Sequence, residues 1–195
     1  MTPRDLIKYR YRVNREDIVT WVDSWWLAFA RENGARELSW SSVVGRCLWD
    51  FLGDEVTRGI YRQLHERVRR TGRSVLVPFR CDSPNLRRHM RLTICEVDSG
   101  DLLYESQLVR VEAGPRFRVL DRDVPRNDAF LTICSCCKRA LLETHGWLSL
   151  DEAVLRSGVF DQQRLPQLRY TFCDECREAV TRFPENGGTA AFLAR

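Results

Sequence analysis

Two closely spaced pairs of cysteines carry the strongest chemical signal in this sequence of 195 residues. Cys134 and Cys137 form one Cys-x-x-Cys pair, and Cys173 and Cys176 form a second pair further along the chain. A two-residue gap lets a single turn present both thiolates to one ion, and four sulfurs at about 2.3 Å suit tetrahedral Zn2+. Such a site is closed to substrate, so the sequence predicts a structural zinc site made of these four cysteines.

Other interpretations of the cysteines stay open. The four thiols could be ordinary buried or free cysteines, or they could form a redox-active dithiol that exchanges disulfides. Cys136 adds a fifth thiol inside the first pair, and His145 lies between the two pairs, so each is a further candidate ligand. Cys47, Cys81 and Cys95 are isolated in sequence and receive no predicted role, because lone cysteines are commonly small buried apolar residues.

The amino-terminal sequence predicts neither export nor membrane insertion. It lacks the apolar stretch of a secretory signal, and no run approaches the ~20 apolar residues that cross a bilayer. We therefore expect a cytoplasmic protein with no membrane partner. Thiols stay reduced in that compartment, which favours metal binding over a disulfide framework for the eight cysteines.

Histidine is the other residue type that could bind a cofactor. His65 lies on a predicted helix and could ligate haem, which keeps a haem sensor open beside a thiol-based redox sensor. Its neighbours Glu66 and Arg67 indicate a helix edge open to water, so the sequence does not favour that role. His89 lies among arginines at the start of a strand, where a solvated edge is the simpler interpretation.

The motifs do not indicate an enzyme. Hydrolysis or group transfer needs an activated nucleophile, a phosphate-binding glycine loop or an open metal site. The glycines are scattered, and the paired carboxylates Asp121 and Asp123 lie in a connector rich in Pro, Arg and Asp. We therefore expect a non-enzymatic protein.

The charge pattern leaves nucleic-acid binding as an alternative function. The 31 basic and 27 acidic residues give a net charge of +4, which is too small to indicate a nucleic-acid partner by itself. A zinc-dependent transcriptional regulator that binds nucleic acid nevertheless stays open. The basic residues near the cysteine pairs that support it are Lys138, Arg139, Arg164, Arg169 and Arg177.

Two strands and two helices are predicted in the first part of the chain. Residues 9–14 and 18–22 are rich in β-branched and aromatic side chains and indicate a hairpin. Ser24 is a candidate N-cap for the first helix. Apolar residues repeat at helical spacing over residues 57–70, and Gly72 ends this second helix.

Three further strands are predicted after the helices. Apolar and polar side chains alternate over residues 74–80 and again over 90–95, as in half-buried strands. Turn residues at 98–101 precede a strand over 102–112, so the last two strands are predicted to pair antiparallel. The first half of the chain therefore contains five predicted strands and a group of short helices.

This order of elements, together with three local segments, resembles the bacterial PAS sensor family. The segments are residues 17–33, 45–51 and 72–84, and the resemblance covers about residues 9–112. It implies an α+β fold with a PAS-like five-stranded antiparallel sheet, flanking short helices and an apolar cavity. PAS relatives hold a small molecule, haem, flavin or nothing in that cavity, so the cavity ligand of this chain stays unknown.

The cysteine-rich part resembles an extension that follows sensory domains in bacterial signalling proteins. A capping box at Ser149 and Glu152 predicts a short helix between the cysteine pairs, and Trp147 and Phe160 could cover the metal. Cys136 departs from the pattern of this extension. The match rests on Cys134, Ser135, Cys137, Lys138, Arg139, Trp147, Pro166, Cys173 and Cys176.

The two resemblances imply a bacterial sensory or signalling protein. They divide the chain into a PAS-like domain over 9–112, a linker over 113–129, a four-cysteine zinc module over 130–183 and a flexible tail over 184–195. The PAS-like domain would bind a small ligand or partner, and the zinc module would stabilise or relay its state. Because no output domain is recognisable, we expect a partner signalling protein in trans or a homodimer, as is common among PAS relatives.

Overall fold

The first half of the chain forms a five-stranded antiparallel sheet. The structure is a computed structural model that describes residues 7–182. The strands have the spatial order β2-β1-β5-β4-β3, and each neighbouring pair runs antiparallel. This confirms the predicted α+β fold with its PAS-like sheet. The five strands are β1 (Lys8–Val13), β2 (Val19–Val22), β3 (Val75–Arg80), β4 (Leu86–Val97) and β5 (Asp101–Ala113).

Three α-helices and one 3-10 helix (Leu48–Phe51) connect β2 to β3, and the α-helices are α1 (Ser24–Glu32), α2 (Trp40–Val43) and α3 (Glu55–Thr71). The predicted N-cap of α1 was wrong by one residue. Asp23 caps the helix, because its carboxylate accepts a hydrogen bond from the backbone N–H of Trp26 at 2.6 Å. Helix α3 ends at Gly72 as predicted, where a φ of +64° places the backbone in the left-handed region.

Strand β4 is longer than the predicted 90–95. It pairs with β5 from Leu86 onward, and the register shifts between His89 and Met90. That bulge interrupts the alternation of side chains, so the arginine-rich first part of the strand has no clear pattern in the sequence. The predicted antiparallel pairing of the last two strands is confirmed.

A second sheet follows in the cysteine-rich half, with the order β8-β7-β6-β9. Strands β6 and β9 run parallel, whereas the other two pairs are antiparallel. The predicted capping box of α4 is present, with Ser149 and Glu152 each bonding the other's backbone. The elements are β6 (Arg126–Cys134), β7 (Ala140–Leu142), β8 (Gly146–Leu148), α4 (Leu150–Arg156), β9 (Leu165–Thr171) and α5 (Asp174–Thr181).

The segment predicted as a linker, residues 113–129, takes part in packing. Phe117 and Val119 are buried in the core behind the second sheet, and β6 already begins at Arg126. The predicted tail over 184–195 lies outside the described residues. None of the helices within residues 7–182 combines the length and hydropathy that crossing a bilayer requires.

Two buried cores stabilise the molecule. The second core lies behind the second sheet and includes Leu131, Ile133 and Leu150. The first core lies between the first sheet and α3, and it continues without interruption into the cysteine-rich half. The cysteine-rich half contributes Cys134, Cys136, Phe172, Cys173, Cys176 and Val180 to that first core. The predicted metal ligands are therefore packed against the PAS-like sheet and its helices.

Candidate metal centre

The structure brings together the four cysteines that the sequence singled out. The sulfur atoms of Cys134, Cys137, Cys173 and Cys176 all lie within 4.8 Å of one another. The Sγ atoms of Cys137 and Cys173 are 3.8 Å apart. Four Zn–S bonds of about 2.3 Å in a tetrahedron place their sulfurs roughly 3.8 Å apart, so the spacing fits a single ion of that size.

Parallel pairing of β6 and β9 explains why the two cysteine pairs meet. Cys134 is the last residue of β6 and lies opposite Thr171, the last residue of β9. Both strands therefore deliver their following residues to the same end of the sheet. Cys173 then occupies the N-cap position of α5, and Cys176 lies in the first turn of that helix.

Backbone hydrogen bonds orient the thiol of Cys134. Its Sγ accepts the N–H of Cys137 at 3.5 Å and the N–H of Cys173 at 3.4 Å. Lys138 closes the turn by donating its backbone N–H to the carbonyl of Cys134, and it adopts a φ of +63° to do so. Donors directed at sulfur favour the thiolate form that metals bind.

The electrostatics of the four thiols also suit a cation. Hydrogen bonds from Cys137, Cys173 and Cys176 lower the pKa of Cys134. Hydrogen bonding to Cys134 in turn raises the pKa of each of the other three. Without a metal, the hydrogen bonds among the four thiols therefore stabilise a single thiolate. Four thiolates this close together would repel one another, and a divalent cation between them would offset that repulsion.

Burial makes the cluster a closed site. Cys134, Cys173 and Cys176 are at most 3% exposed, and Cys137 is partly buried. A four-thiolate arrangement with no open position suits a structural role and does not suit the binding of a substrate.

Neither of the two further candidate ligands belongs to the cluster. Cys136 donates its thiol to the carbonyl of Pro78 at 3.2 Å, which fastens the cysteine turn to β3. His145 is exposed, and its Nδ1 lies 2.6 Å from the hydroxyl of Thr144. Trp147 packs against the first core, which also contains the cysteines, whereas Phe160 is buried in the second core.

Polar contacts join the cysteine turn to the first sheet. The backbone N–H of Arg80 in β3 donates to the carbonyl of Cys136 at 2.7 Å, and its guanidinium reaches the carbonyl of Cys137 at 3.4 Å. Next to the second pair, the hydroxyl of Thr171 donates to the carboxylate of Asp54 at 2.9 Å. Asp54 is the N-cap of α3. The site therefore contacts both an edge strand and a long helix of the PAS-like half.

The basic residues near the cysteines are engaged within the chain. Arg139 forms an ion pair with Glu175 at 2.7 Å, and Arg177 pairs with Asp174 at 2.8 Å. The guanidinium of Arg169 lies 3.5 Å above the ring of Phe130. Lys138 donates to the carbonyl of Ser135, and Arg164 donates to the carbonyl of Arg126. These contacts give each cation a partner inside the protein.

The prediction that His65 lies on a wet helix edge was wrong. Its side chain is 2% exposed, with Nδ1 2.8 Å from a carboxylate oxygen of Asp17 and Nε2 in contact with the hydroxyl of Tyr104. Burial lowers the pKa of His65, and the negative charge of Asp17 opposes that effect. Both ring nitrogens are occupied, so the imidazole has no free atom for haem.

Aromatic rings occupy the space between α3 and the first sheet, where the PAS resemblance implies a ligand cavity. Tyr104 stacks on Tyr11 with 4.5 Å between ring centroids and lies 6.3 Å from the ring of Tyr61. Trp49 packs against His65 at 5.2 Å. Burial raises the pKa of Tyr104 well above its usual value.

The remaining candidate residues belong neither to the cysteine cluster nor to the contacts of His65. His89 is partly exposed on β4, 3.5 Å from a carboxylate oxygen of Glu112, which agrees with a solvated strand edge. Cys47, Cys81 and Cys95 are free, partly buried thiols, and burial raises the pKa of Cys81 and of Cys95.

Comparisons with known proteins give partial structural likenesses. No family model matches the sequence, and no curated protein matches it. A domain of an HTR-like protein from Haloarcula marismortui is 14% identical with a TM-score of 0.38, covering 53% of this chain and 98% of that chain. A sensory box sensor histidine kinase from Vibrio cholerae is 9% identical with a TM-score of 0.39, covering 54% of this chain and 85% of that chain. The fold assignment accordingly rests on the strand order and register of the chain itself.

Proposed function

We propose that this chain is a non-enzymatic sensory protein of the bacterial type, with a PAS-like half that receives a ligand or partner and a structural zinc module that relays the resulting state. The observation that carries the proposal is the shared first core. Four clustered cysteines belong to the same buried group as the inward face of the PAS-like sheet. A change of packing in one half therefore alters the surroundings of the other.

Zinc is the ion that this donor set suits best. Cys134, Cys137, Cys173 and Cys176 would hold it, because a closed set of four thiolates suits a cation that binds sulfur in tetrahedral geometry. Zinc held by these residues would cross-link the turn that follows β6 to the start of α5. The residues of the chain supply the rest, with the turn around Cys136 fastened to β3.

A relay between the halves has two supporting contacts. One is the turn at Cys136, which bonds to β3 through Pro78 and Arg80. The other is the bond from Thr171 to Asp54, which reaches the start of α3. Helix α3 carries His65, whose imidazole contacts Tyr104 on β5. These bonds connect the cysteine cluster to β3 and, through helix α3, to the interior of the sensory half.

The output is proposed to act on a partner protein in trans or on a second copy of the chain, in the cytoplasm. Three tryptophans with exposed side chains support a protein partner, because aromatic residues are enriched at protein–protein interfaces. Trp25 is 56% exposed, Trp40 is 57% exposed and Trp21 is 39% exposed.

Native mass spectrometry combined with metal analysis tests the proposal. We expect one zinc ion per chain in protein purified without chelators, and we expect Cys173→Ser to lose it because three thiolates leave the tetrahedron incomplete. Cys95→Ser is the matched control, since Cys95 is a free thiol on β4 away from the cluster. The same spectra report the number of chains and any retained ligand.

Two results would count against the proposal. The proposed zinc module is contradicted if the purified chain carries no metal, or if the Cys173→Ser variant keeps one zinc ion per chain. Tight, salt-dependent binding of the intact protein to DNA or RNA would favour the zinc-dependent nucleic-acid regulator instead.

A further inference from the structure

A surface pocket of about 500 Å3 opens directly beside the buried His65. It lies between the second half of α3 and the turn that joins β1 to β2. Its lining is almost entirely charged: Asp17, Arg62, His65, Glu66, Arg69 and Arg70. Three guanidinium groups face two carboxylates there, so the pocket carries an excess of positive charge when His65 is neutral.

Arg69 is held in place at the wall of this pocket. Its Nε donates to the carbonyl of Gly100 at 3.0 Å, and its Nη2 donates to the carbonyl of Asn14 and to Asp17, both at 2.8 Å. Asp17 is thereby bound by Arg69 and His65 together. Arg69 balances its negative charge, so the other charged side chains that line the pocket are Arg62, Glu66 and Arg70.

The other two arginines have weaker attachments. Arg62 stacks over the ring of Trp49 at 5.3 Å and reaches Glu55 at 3.3 Å, while half of its side chain is exposed. The side chains of Arg70 and Glu66 make no ion pair or hydrogen bond with any residue between 7 and 182. Because Arg62, Glu66 and Arg70 follow one another at four-residue steps, they share one face of α3.

We propose that this pocket binds a small oxyanion, a phosphate or a carboxylate group, between Arg62, Arg69 and Arg70. Guanidinium groups recognise both anions through N–H donors, and Arg69, whose Nε and Nη2 are already bonded, is held in place to offer its Nη1, which lowers the cost of ordering the site. The pocket lies outside the ring-filled interior, and the binding does not require zinc. Anion binding in this pocket goes beyond the relay proposed above, because it gives the sensory half a ligand site on its surface.

The bound anion acts on the interior through His65. The charged and titratable groups that face this imidazole are Asp17 from the turn after β1, Tyr104 from β5, and Arg62, Glu66 and Arg69 from α3. An added negative charge beside them favours the imidazolium form and raises the pKa of His65. Protonation of His65 then changes its hydrogen bond to the buried Tyr104.

Proton NMR of the three histidines tests this proposal on the intact chain. Inorganic phosphate and acetate are titrated separately at constant ionic strength, and the His65 resonance is identified by its loss in His65→Gln. We expect a saturable shift of His65 and a raised pKa of its imidazole, while His89 and His145 show neither. Saturation by phosphate alone assigns a phosphate-bearing ligand, and saturation by acetate alone assigns a carboxylate.

Single variants of charged residues on α3 sharpen the test. Arg70→Ala should weaken binding about tenfold, because a charge-assisted hydrogen bond is lost. Glu66→Gln should tighten binding about threefold, because it removes a repelling charge. Arg67→Ala is the matched control on the same helix, since Arg67 does not line the pocket. A response that does not saturate with either anion, or that is equal in Arg70→Ala and Arg67→Ala, overturns the proposal whatever the metal content of the sample.

Discussion

The imidazole of His65 connects protonation to folding. Burial lowers its pKa in the folded protein, so the unfolded chain binds a proton at a higher pH than the folded chain does. As the pH falls through about 6.5, the unfolded state is protonated first and gains stability. The folded state therefore loses stability between that value and its own lower pKa.

We predict that the free energy of unfolding decreases as the pH is lowered from 7.5 to 5.5 because His65 must be kept neutral in the folded protein. Urea titrations across that range measure it. In His65→Gln the free energy of unfolding should change less with pH, whatever the absolute stability of that variant. Equal slopes in the two proteins would mean that His65 does not link protonation to folding.

Side-chain type and spacing were sufficient to predict some of the candidate functional residues but not others. The four cysteines could be predicted because a Cys-x-x-Cys repeat is a local pattern that few other structures require. The role of His65 depends on Asp17 and Tyr104, which are far away in sequence. A signal was present, since His65 follows Tyr61 by four residues and so shares its inward-facing side of the helix.

At the scale of single elements, α3 depends on the conformation of the residue that caps its C-terminus. Gly72 adopts a φ of +64°, and its N–H donates to the carbonyl of Val68 at 2.8 Å. A Cβ added at Gly72 would meet no atom within 4 Å, so the penalty for a larger residue comes from the backbone alone.

We predict that Gly72→Ala lowers the free energy of unfolding by about 1 kcal/mol, because alanine is strained in the left-handed region. Gly59→Ala makes the same chemical change inside α3, where an added Cβ also meets open space. It should instead raise stability by about 1 kcal/mol, since alanine favours the helix. Urea unfolding of both variants measures the difference, and a change of the same sign in both would contradict this account.

The elements themselves were predicted unevenly. Periodicity was enough for α3, which has buried residues along one face, and for β3, whose first residues alternate between buried and partly exposed positions. Strand β5 was predicted from the turn residues that precede it, since only Leu102 and Tyr104 are buried in it. The pairing of β6 with β9 could not be predicted, since the direction of a strand pair depends on the path of the chain between them. The same limit applies to the bulge in β4, which no single-residue pattern marks.

At the scale of the whole molecule, the two halves share packing. The first core contains residues of the PAS-like sheet, of α3 and of the cysteine-rich half. Helices α3 and α5 also contact each other. The sequence suggested two separate regions because their compositions differ, and composition carries no information about which surfaces pack together.

We predict that removal of the metal loosens part of the PAS-like half as well as the cysteine-rich half. Hydrogen-exchange mass spectrometry after chelation should show faster exchange in β3 and at the start of α3, which contact the cysteine region. Strand β2 lies at the opposite edge of the sheet and is the internal control. Unchanged exchange in β3 after complete loss of metal would rule out the relay through that strand.

Parallel pairing of β6 and β9 also sets an order of events during synthesis. Their partner residues are separated by the entire crossover, so the two cysteine pairs meet only after a long loop has closed. A nascent chain that ends before β9 offers two thiolates, which is half of a tetrahedral ligand set. Only chains in which β9 has already paired with β6 would therefore bind the metal stably.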